Sequence, residues 1–404
     1  MAGFVKRAKL AVIGMCAAAW FVSSLAVAQA GKENPQLRRG VSSGMARDGP
    51  SAEAVRSALS RASTLLEADK FKDAAATLNS LSCLRCDPRI SLLLAAALEG
   101  GGELSKARGT LEEAHSLWPT NNSIATALAR QYVLAGRADQ AAEALSSSDV
   151  SATTPAQELA LRVQVDLAVH RLLEAERVAK IAYEAHPSEA STLILANVLQ
   201  MQGRRDEVVT FLRSKRKLYG DSPRFLVTLA EGQYDTVNYA AARADLERAI
   251  SLDPGMEIAH YLLGNTLVRL KEADAAIDEY NSAIRLAPRK ARTHYGLGLA
   301  LLLRADDAGA EGALKNSLTI DPQYAPAHCE LGKLYQKQGR LPEAVEELNS
   351  AIQCNPRYTV AYYHLGETYR QMGDKRDSVK AFAAFQALKE KEPKQKPPMN
   401  DRLP

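Results

Sequence analysis

Three kinds of residue cluster in this 404-residue chain have types and spacings that could do chemistry. In the run SCLRCDP, Cys83 and Cys86 stand two residues apart, the spacing of a redox dithiol or of half a zinc site. Asp87 follows where a haem-attachment sequence would need His. His260, His294 and His328 recur every 34 residues, and imidazoles brought together would ligate a metal. The third kind is glycine-rich. GGGELSKARG, from Gly100, resembles a phosphate loop but lacks a glycine before Lys106. GLGLAL, from Gly296, lacks the third glycine and the preceding strand of a dinucleotide site. His328 and Glu330 do not make the two-histidine helical zinc motif. None of these supplies the convergent polar groups of an active site, so the elements that would position them decide their meaning.

Composition favours helices. Aromatic residues are 6%, charged residues 24%, and no long stretch alternates β-branched with polar residues. The first thirty residues stand apart: a basic VKRAK, an uncharged stretch from Leu10 to Ala30, and the ending AVAQA with Ala28 and Ala30 as small residues. That is the layout of a signal peptide cut after Ala30, with a retained membrane anchor as the competing reading. Cys16 follows Met15 rather than a small residue, which argues against lipidation. Lys6, Arg7 and Lys9 carry three of the four net positive charges, so a chain cut there is nearly neutral and nothing demands nucleic acid. Residues 31–52 form a polar linker, and residues 393–404 a proline-bearing tail expected to be mobile.

Between these ends a period of 34 governs the sequence. Pro254, Pro288, Pro322 and Pro356 mark it. Twelve residues before each proline stands Ala242, Ala276, Ala310 or Ala344, and five before it Ala249, Ala283, Ser317 or Ala351. Nine after each proline, Leu263, Leu297, Leu331 and Leu365 are each followed by glycine. Small residues on one helix let another approach closely, and a large apolar neighbour fills the remaining space. Proline suits the start of a helix, and Gly339 and Gly373 suit the end of the first helix in a pair.

This pattern resembles the tetratricopeptide repeat (TPR): Leu-Gly at the seventh and eighth positions, Ala at the twentieth and twenty-seventh, Pro at the thirty-second. Weaker copies continue upstream, through Leu229 and Ala242, Leu195 and Leu212, Ala175 and Ala182, Leu128 and Ala141, and a degenerate one at Ala74 and Leu78. The resemblance implies an all-α, right-handed superhelical solenoid of about nine or ten helix pairs. Degenerate repeats are expected over 53–148 and the main array over 156–392, clearest over 223–392. Residues 149–155 form an irregular connection where a bend or boundary is expected.

The repeat frame revises the chemistry. Equivalent histidines in stacked pairs lie roughly 10 Å apart, about one helix diameter, whereas a shared metal needs each nitrogen within about 2.1 Å of it; they are expected to pack on the first helix instead. No metal or other cofactor is expected. Cys83 and Cys86 sit in a turn, where a disulfide and two idle thiols both remain open. Cys329 and Cys354 fall at the start and end of one antiparallel pair, so a bridge between them depends on side-chain direction. A four-cysteine zinc site is excluded by the seven or so repeats between the pairs.

In the family, the second, fifth, ninth, twelfth and thirteenth residues of each first helix face a concave, partner-binding side. The resemblance therefore implies a peptide-binding set of Tyr261, Asn265, Arg269, Tyr295, Lys333, Lys337, Tyr363, Glu367 and Arg370. Tyrosine and arginine often anchor interfaces, but the tyrosines could equally pack between repeats. Members that grip chaperone carboxyl tails carry Lys at the fifth and Asn at the ninth position; only Asn265 fits, against a co-chaperone role. The expectation is a non-enzymatic scaffold exported to a periplasm or cell surface and binding a protein or peptide. The alternatives are a membrane-tethered assembly or secretion factor with an uncleaved leader, and an accessory subunit of an envelope transferase or polysaccharide export enzyme.

Overall fold

The computed structural model describes residues 50–81, 86–147 and 149–391. The leader, nearly all of the linker, Cys83 and the C-terminal tail lie outside the described residues. The described residues form twenty α-helices and no strand. The first compact unit, ending at Val198, holds α1 (Ala52–Glu67), α2 (Phe71–Asn79), α3 (Pro88–Gly100), α4 (Leu104–Leu117), α5 (Asn122–Leu134), α6 (Ala138–Leu145), α7 (Ala156–Ala168) and α8 (Leu172–Ala185). The unit boundary falls inside α9 (Glu189–Met201). The second unit, from Leu199, holds α10 (Arg205–Tyr219), α11 (Pro223–Asp235), α12 (Tyr239–Leu252), α13 (Glu257–Arg269), α14 (Ala273–Leu286), α15 (Ala291–Leu303), α16 (Asp307–Ile320), α17 (Ala325–Lys337), α18 (Leu341–Cys354), α19 (Thr359–Gln371) and α20 (Lys375–Lys391).

Each first helix is closed by the same device. Asp69, Gly102, Gly136, His170, Gly203, Val237, Lys271, Ala305, Gly339 and Gly373, spaced 33 or 34 residues apart, all have φ between 56° and 81°. The next amide then reaches back five residues, as Arg137 N to Tyr132 O at 2.8 Å and Glu272 N to Leu267 O at 2.9 Å. This capping turn satisfies carbonyls that the helix end would leave open. Its recurrence counts ten helix pairs among the described residues. Glycine at five of these positions matches the expected punctuation; the other five bear side chains in a region that costs L-residues about 1–2 kcal/mol, held by the same hydrogen bonds.

Packing within pairs follows the small-residue pattern. Ala242, Ala276, Ala310 and Ala344 on the second helices are completely buried, as are Ala249, Ala283, Ser317 and Ala351. At the eighth position of α17, a Cβ on Gly332 would lie 2.6 Å from Leu348 Cγ, so absence of a side chain there is what admits Leu348. Gly264 accommodates the ring of the fully buried Tyr280 in the same way.

The turns between pairs are polar-locked. Asp253 Oδ1 accepts from Gly255 N at 3.0 Å, with equivalents from Asp321 and Asn355, each making the local bond of an Asx turn around the following proline.

The connection after α6 lies inside the first unit, while the unit boundary lies in α9. The connection is tied down: Ser147 Oγ donates to Pro119 O at 2.5 Å, Asn122 Nδ2 to Asp149 O at 3.1 Å, and His186 Nε2 lies 2.9 Å from Thr154 O. Beside it, α7 departs from the apolar pattern. Thirty-four residues after the buried Ile124, Leu128 and Tyr132 stand Glu158, Arg162 and Asp166, all nearly buried. Arg162 pairs with Glu158 at 3.4 Å and donates to Leu145 O, at the end of α6, at 3.3 Å.

Candidate protein-binding groove

The recurring histidines serve the turns. His260 Nε2 faces Pro254 O at 3.1 Å, His294 Nε2 faces Pro288 O at 2.9 Å, and His328 Nε2 faces Pro322 O at 3.1 Å. Tyr362, the equivalent residue one repeat later, donates its hydroxyl to Pro356 O at 3.2 Å. His260 and His328 also present Nδ1 to Glu279 and Glu347, each at 2.6 Å. A fourth-position side chain that binds the preceding proline carbonyl explains why Pro254, Pro288, Pro322 and Pro356 are each followed six residues later by His or Tyr.

The first helices of three consecutive pairs, α13, α15 and α17, line a cavity of about 530 Å³. Leu299, Leu302 and Leu303 of α15 form an aliphatic wall with Val268 of α13. Leu299 is buried, Leu302 half-buried, and Leu303 is 40% exposed. Around it stand Arg269, Lys271 and Lys333. The Arg269 guanidinium lies 5.5 Å from the centroid of the Tyr239 ring, with Nε donating to the Tyr239 hydroxyl at 3.1 Å. Lys271 occupies the left-handed capping position after α13 and is exposed. Lys333 Nζ lies 2.8 Å from a carboxylate oxygen of Glu330, whose side chain is 5% exposed. Burial raises the Glu330 pKa, and the attraction of Lys333 only partly opposes that.

Of the residues expected at the groove, Arg269 and Lys333 line this cavity. Asn265 and Tyr295 do not, and here the structure corrects the expectation. Asn265 is buried and its Oδ1 accepts from the Tyr280 hydroxyl at 2.6 Å. Tyr295 is 6% exposed, edge-on to Tyr324 at 5.4 Å, and burial holds its phenol pKa well above the ordinary value. Both are packing residues: Asn265 is engaged by the Tyr280 hydroxyl and Tyr295 packs against the Tyr324 ring. Tyr261 is half-buried against Tyr280, with the Arg292 guanidinium 4.5 Å over its ring. Lys337 binds Asp307 at 2.8 Å. Tyr363 is 42% exposed and packs on Phe382 and Phe385 of α20, while Glu367 and Arg370 pair with each other beside it on α19.

The α15 leucines and Lys271 were not singled out in the sequence. The leucines occupy the ninth, twelfth and thirteenth positions, so the register pointed to them; their aliphatic type merged with the core run LGLALLL. Cys329 and Cys354 are free thiols, which corrects the disulfide considered between them. Cys329 is fully buried among Leu348, Ala361 and Leu365, and burial pushes its pKa up to about 12. Cys354 is exposed at the end of α18, with its Sγ 3.9 Å from Pro322 O. Cys86 is disulfide-bonded.

Family models described as tetratricopeptide repeat match residues 123–146, 227–291 and 360–394, and one described as TPR repeat matches 337–373. The chain is a tetratricopeptide repeat protein. No curated protein matches it in sequence. Similar solved structures include a tetratricopeptide repeat protein from Parabacteroides merdae, 16% identical, covering 58% of this chain and 93% of its own, with a TM-score of 0.49. MamA is 23% identical over 40% of this chain and 95% of its own, TM-score 0.37. TTC0263 from Thermus thermophilus is 22% identical over 42% of this chain and 93% of its own, TM-score 0.38. Tetratricopeptide repeats generally bind protein or peptide partners and are generally non-enzymatic; this TPR protein is an interaction scaffold of all-α helix pairs.

Proposed function

We propose that this TPR protein is exported and binds an extended segment of a partner protein along the first helices of its C-terminal repeats. The cavity bounded by Leu302, Leu303, Arg269 and Lys333 carries the reading: it combines exposed apolar surface with fixed polar groups, the make-up of a recognition site rather than of a helix core. The helices are preformed, so binding orders the partner more than the scaffold. Export rests on the basic start, the uncharged Leu10–Ala30 stretch and the small residues at Ala28 and Ala30. No helix among the described residues is long and apolar enough to cross a membrane. An uncleaved leader would make the same scaffold a membrane-tethered assembly factor, a reading favoured by the 21-residue length of the uncharged stretch.

Two measurements test this. N-terminal sequencing of the protein from the cell envelope should give Gly31 as the first residue; Met1 or its neighbour would contradict cleavage. Capture from the envelope fraction should be lost in an Arg269→Glu, Lys271→Glu variant of unchanged helical content, and unchanged capture would contradict the groove.

A further inference from the structure

The α15 strip differs from its neighbours in the same register. At the ninth, twelfth and thirteenth positions α13 carries Asn265, Val268 and Arg269, and α17 carries Lys333, Gln336 and Lys337, whereas α15 carries three leucines. Helix packing is already served by Ala300, fully buried, and Leu301, 8% exposed. Leu303 stands 40% exposed in spite of this, apolar area left in water that burial against a partner would recover. The strip lines an open groove of about 530 Å³ rather than an enclosed void between the helices.

The charges around this strip are one-sided. Its lining holds three cations, Arg269, Lys271 and Lys333, against one carboxylate, Glu330, already engaged by Lys333. Lys271 has no ion-pair partner among the described residues, and the capping turn fixes where its backbone stands. Arg269 rests on Tyr239 rather than on an acid.

From this we infer that the cavity takes a bulky aliphatic side chain from a partner segment whose flanking residues carry carboxylates. The assignment rests on the groove reading above and specifies its ligand. The aliphatic side chain covers Leu299, Leu302 and Leu303, while the carboxylates beside it meet Lys271 and Arg269, the lining cations that no carboxylate holds among the described residues. In an extended segment, side chains on one face repeat roughly every 7 Å, so the residues two before and two after the aliphatic one reach past the apolar strip without bending. A lysine-flanked segment would meet like charge, and a wholly polar one would leave the leucines uncovered.

Three fluorescein-labelled nine-residue peptides, titrated into the full chain by fluorescence anisotropy, test it: a central leucine flanked by glutamates, the same leucine flanked by lysines, and a central serine flanked by glutamates. The glutamate–leucine peptide should bind about tenfold or more tightly than either other. Its affinity should fall with added salt, and fall about tenfold in Lys271→Glu and in Leu303→Ser. Both positions are exposed, and circular dichroism establishes that each variant folds. Equal binding of the lysine peptide, indifference to either variant, or no binding by any peptide at about 1 mM overturns the assignment. A photo-crosslinker at Leu303 separates the two claims. Capture of a partner through a segment lacking acid-flanked aliphatic residues overturns the ligand class and leaves the groove standing; no capture removes both.

Discussion

His328 on α17 and Glu347 on α18 clasp the two helices of one pair, with Nδ1 and Oε2 2.6 Å apart while Nε2 faces the Pro322 carbonyl at 3.1 Å. Both ring nitrogens therefore face acceptors, which favours the doubly protonated imidazolium. Desolvation lowers the pKa of His328, but the hydrogen bonds to Glu347 and Pro322 and the charge of Glu347 outweigh it, so the pKa is raised. A raised folded-state pKa contributes stability that is complete below the ordinary imidazole range and is lost as pH rises through the folded value. The melting temperature should fall between pH 6 and pH 8 by more in the wild type than in Glu347→Gln. Parallel pH profiles would contradict this role for the clasp.

Val237 closes α11 with φ of 63°, a β-branched residue in the left-handed region, and its side chain is 65% exposed. Little apolar contact is lost by removing it, because most of its surface is in water. Val237→Gly should stabilise the chain by about 1 kcal/mol in chemical denaturation, since relief of strain exceeds the added entropy of the unfolded chain. Destabilisation would show that the turn draws on contacts of the valine side chain.

Asp166 illustrates a second pH effect, of opposite origin. Burial first, then the nearby Glu174, raises its pKa to about 6, against the pull of Arg171, Arg162 and Arg177. The native state thus holds a proton that the unfolded chain releases, and stability falls as pH rises from about 4 to about 6. Asp166→Asn should be more stable than wild type at pH 8, with the advantage shrinking towards pH 4.5. An advantage independent of pH would mean that charge is not the cause.

The two free thiols differ in reach. Alkylation of the native protein followed by peptide mass mapping should modify Cys354 and spare Cys329, which becomes reactive only on denaturation. Equal labelling of both in the native state would contradict the packing of α17 on α18.

The helix pairs were legible because their physics is local and repeated: alanine where helices touch, glycine opposite a large side chain, proline in the turn. Half of the capping turns escaped the glycine signal, because Asp69, His170, Val237, Lys271 and Ala305 reach the same backbone angle through hydrogen bonding alone. The groove was half legible. Register pointed to Arg269 and Lys333, which line the cavity, but residue type misled at Tyr295 and Asn265, where interface-like side chains are buried by aromatic neighbours that no spacing rule reveals. Leu303 was hidden for the converse reason, an aliphatic residue in an aliphatic run that happens to face outward.

The most direct test of the scaffold reading is site-specific photo-crosslinking in whole cells that express the protein, with the reactive residue at Leu303 in the groove or at Glu346, exposed on the second helix α18. A discrete partner crosslinked from Leu303 and not from Glu346 is the predicted result. Crosslinks from Glu346 alone, or none from Leu303, would contradict binding through the first helices.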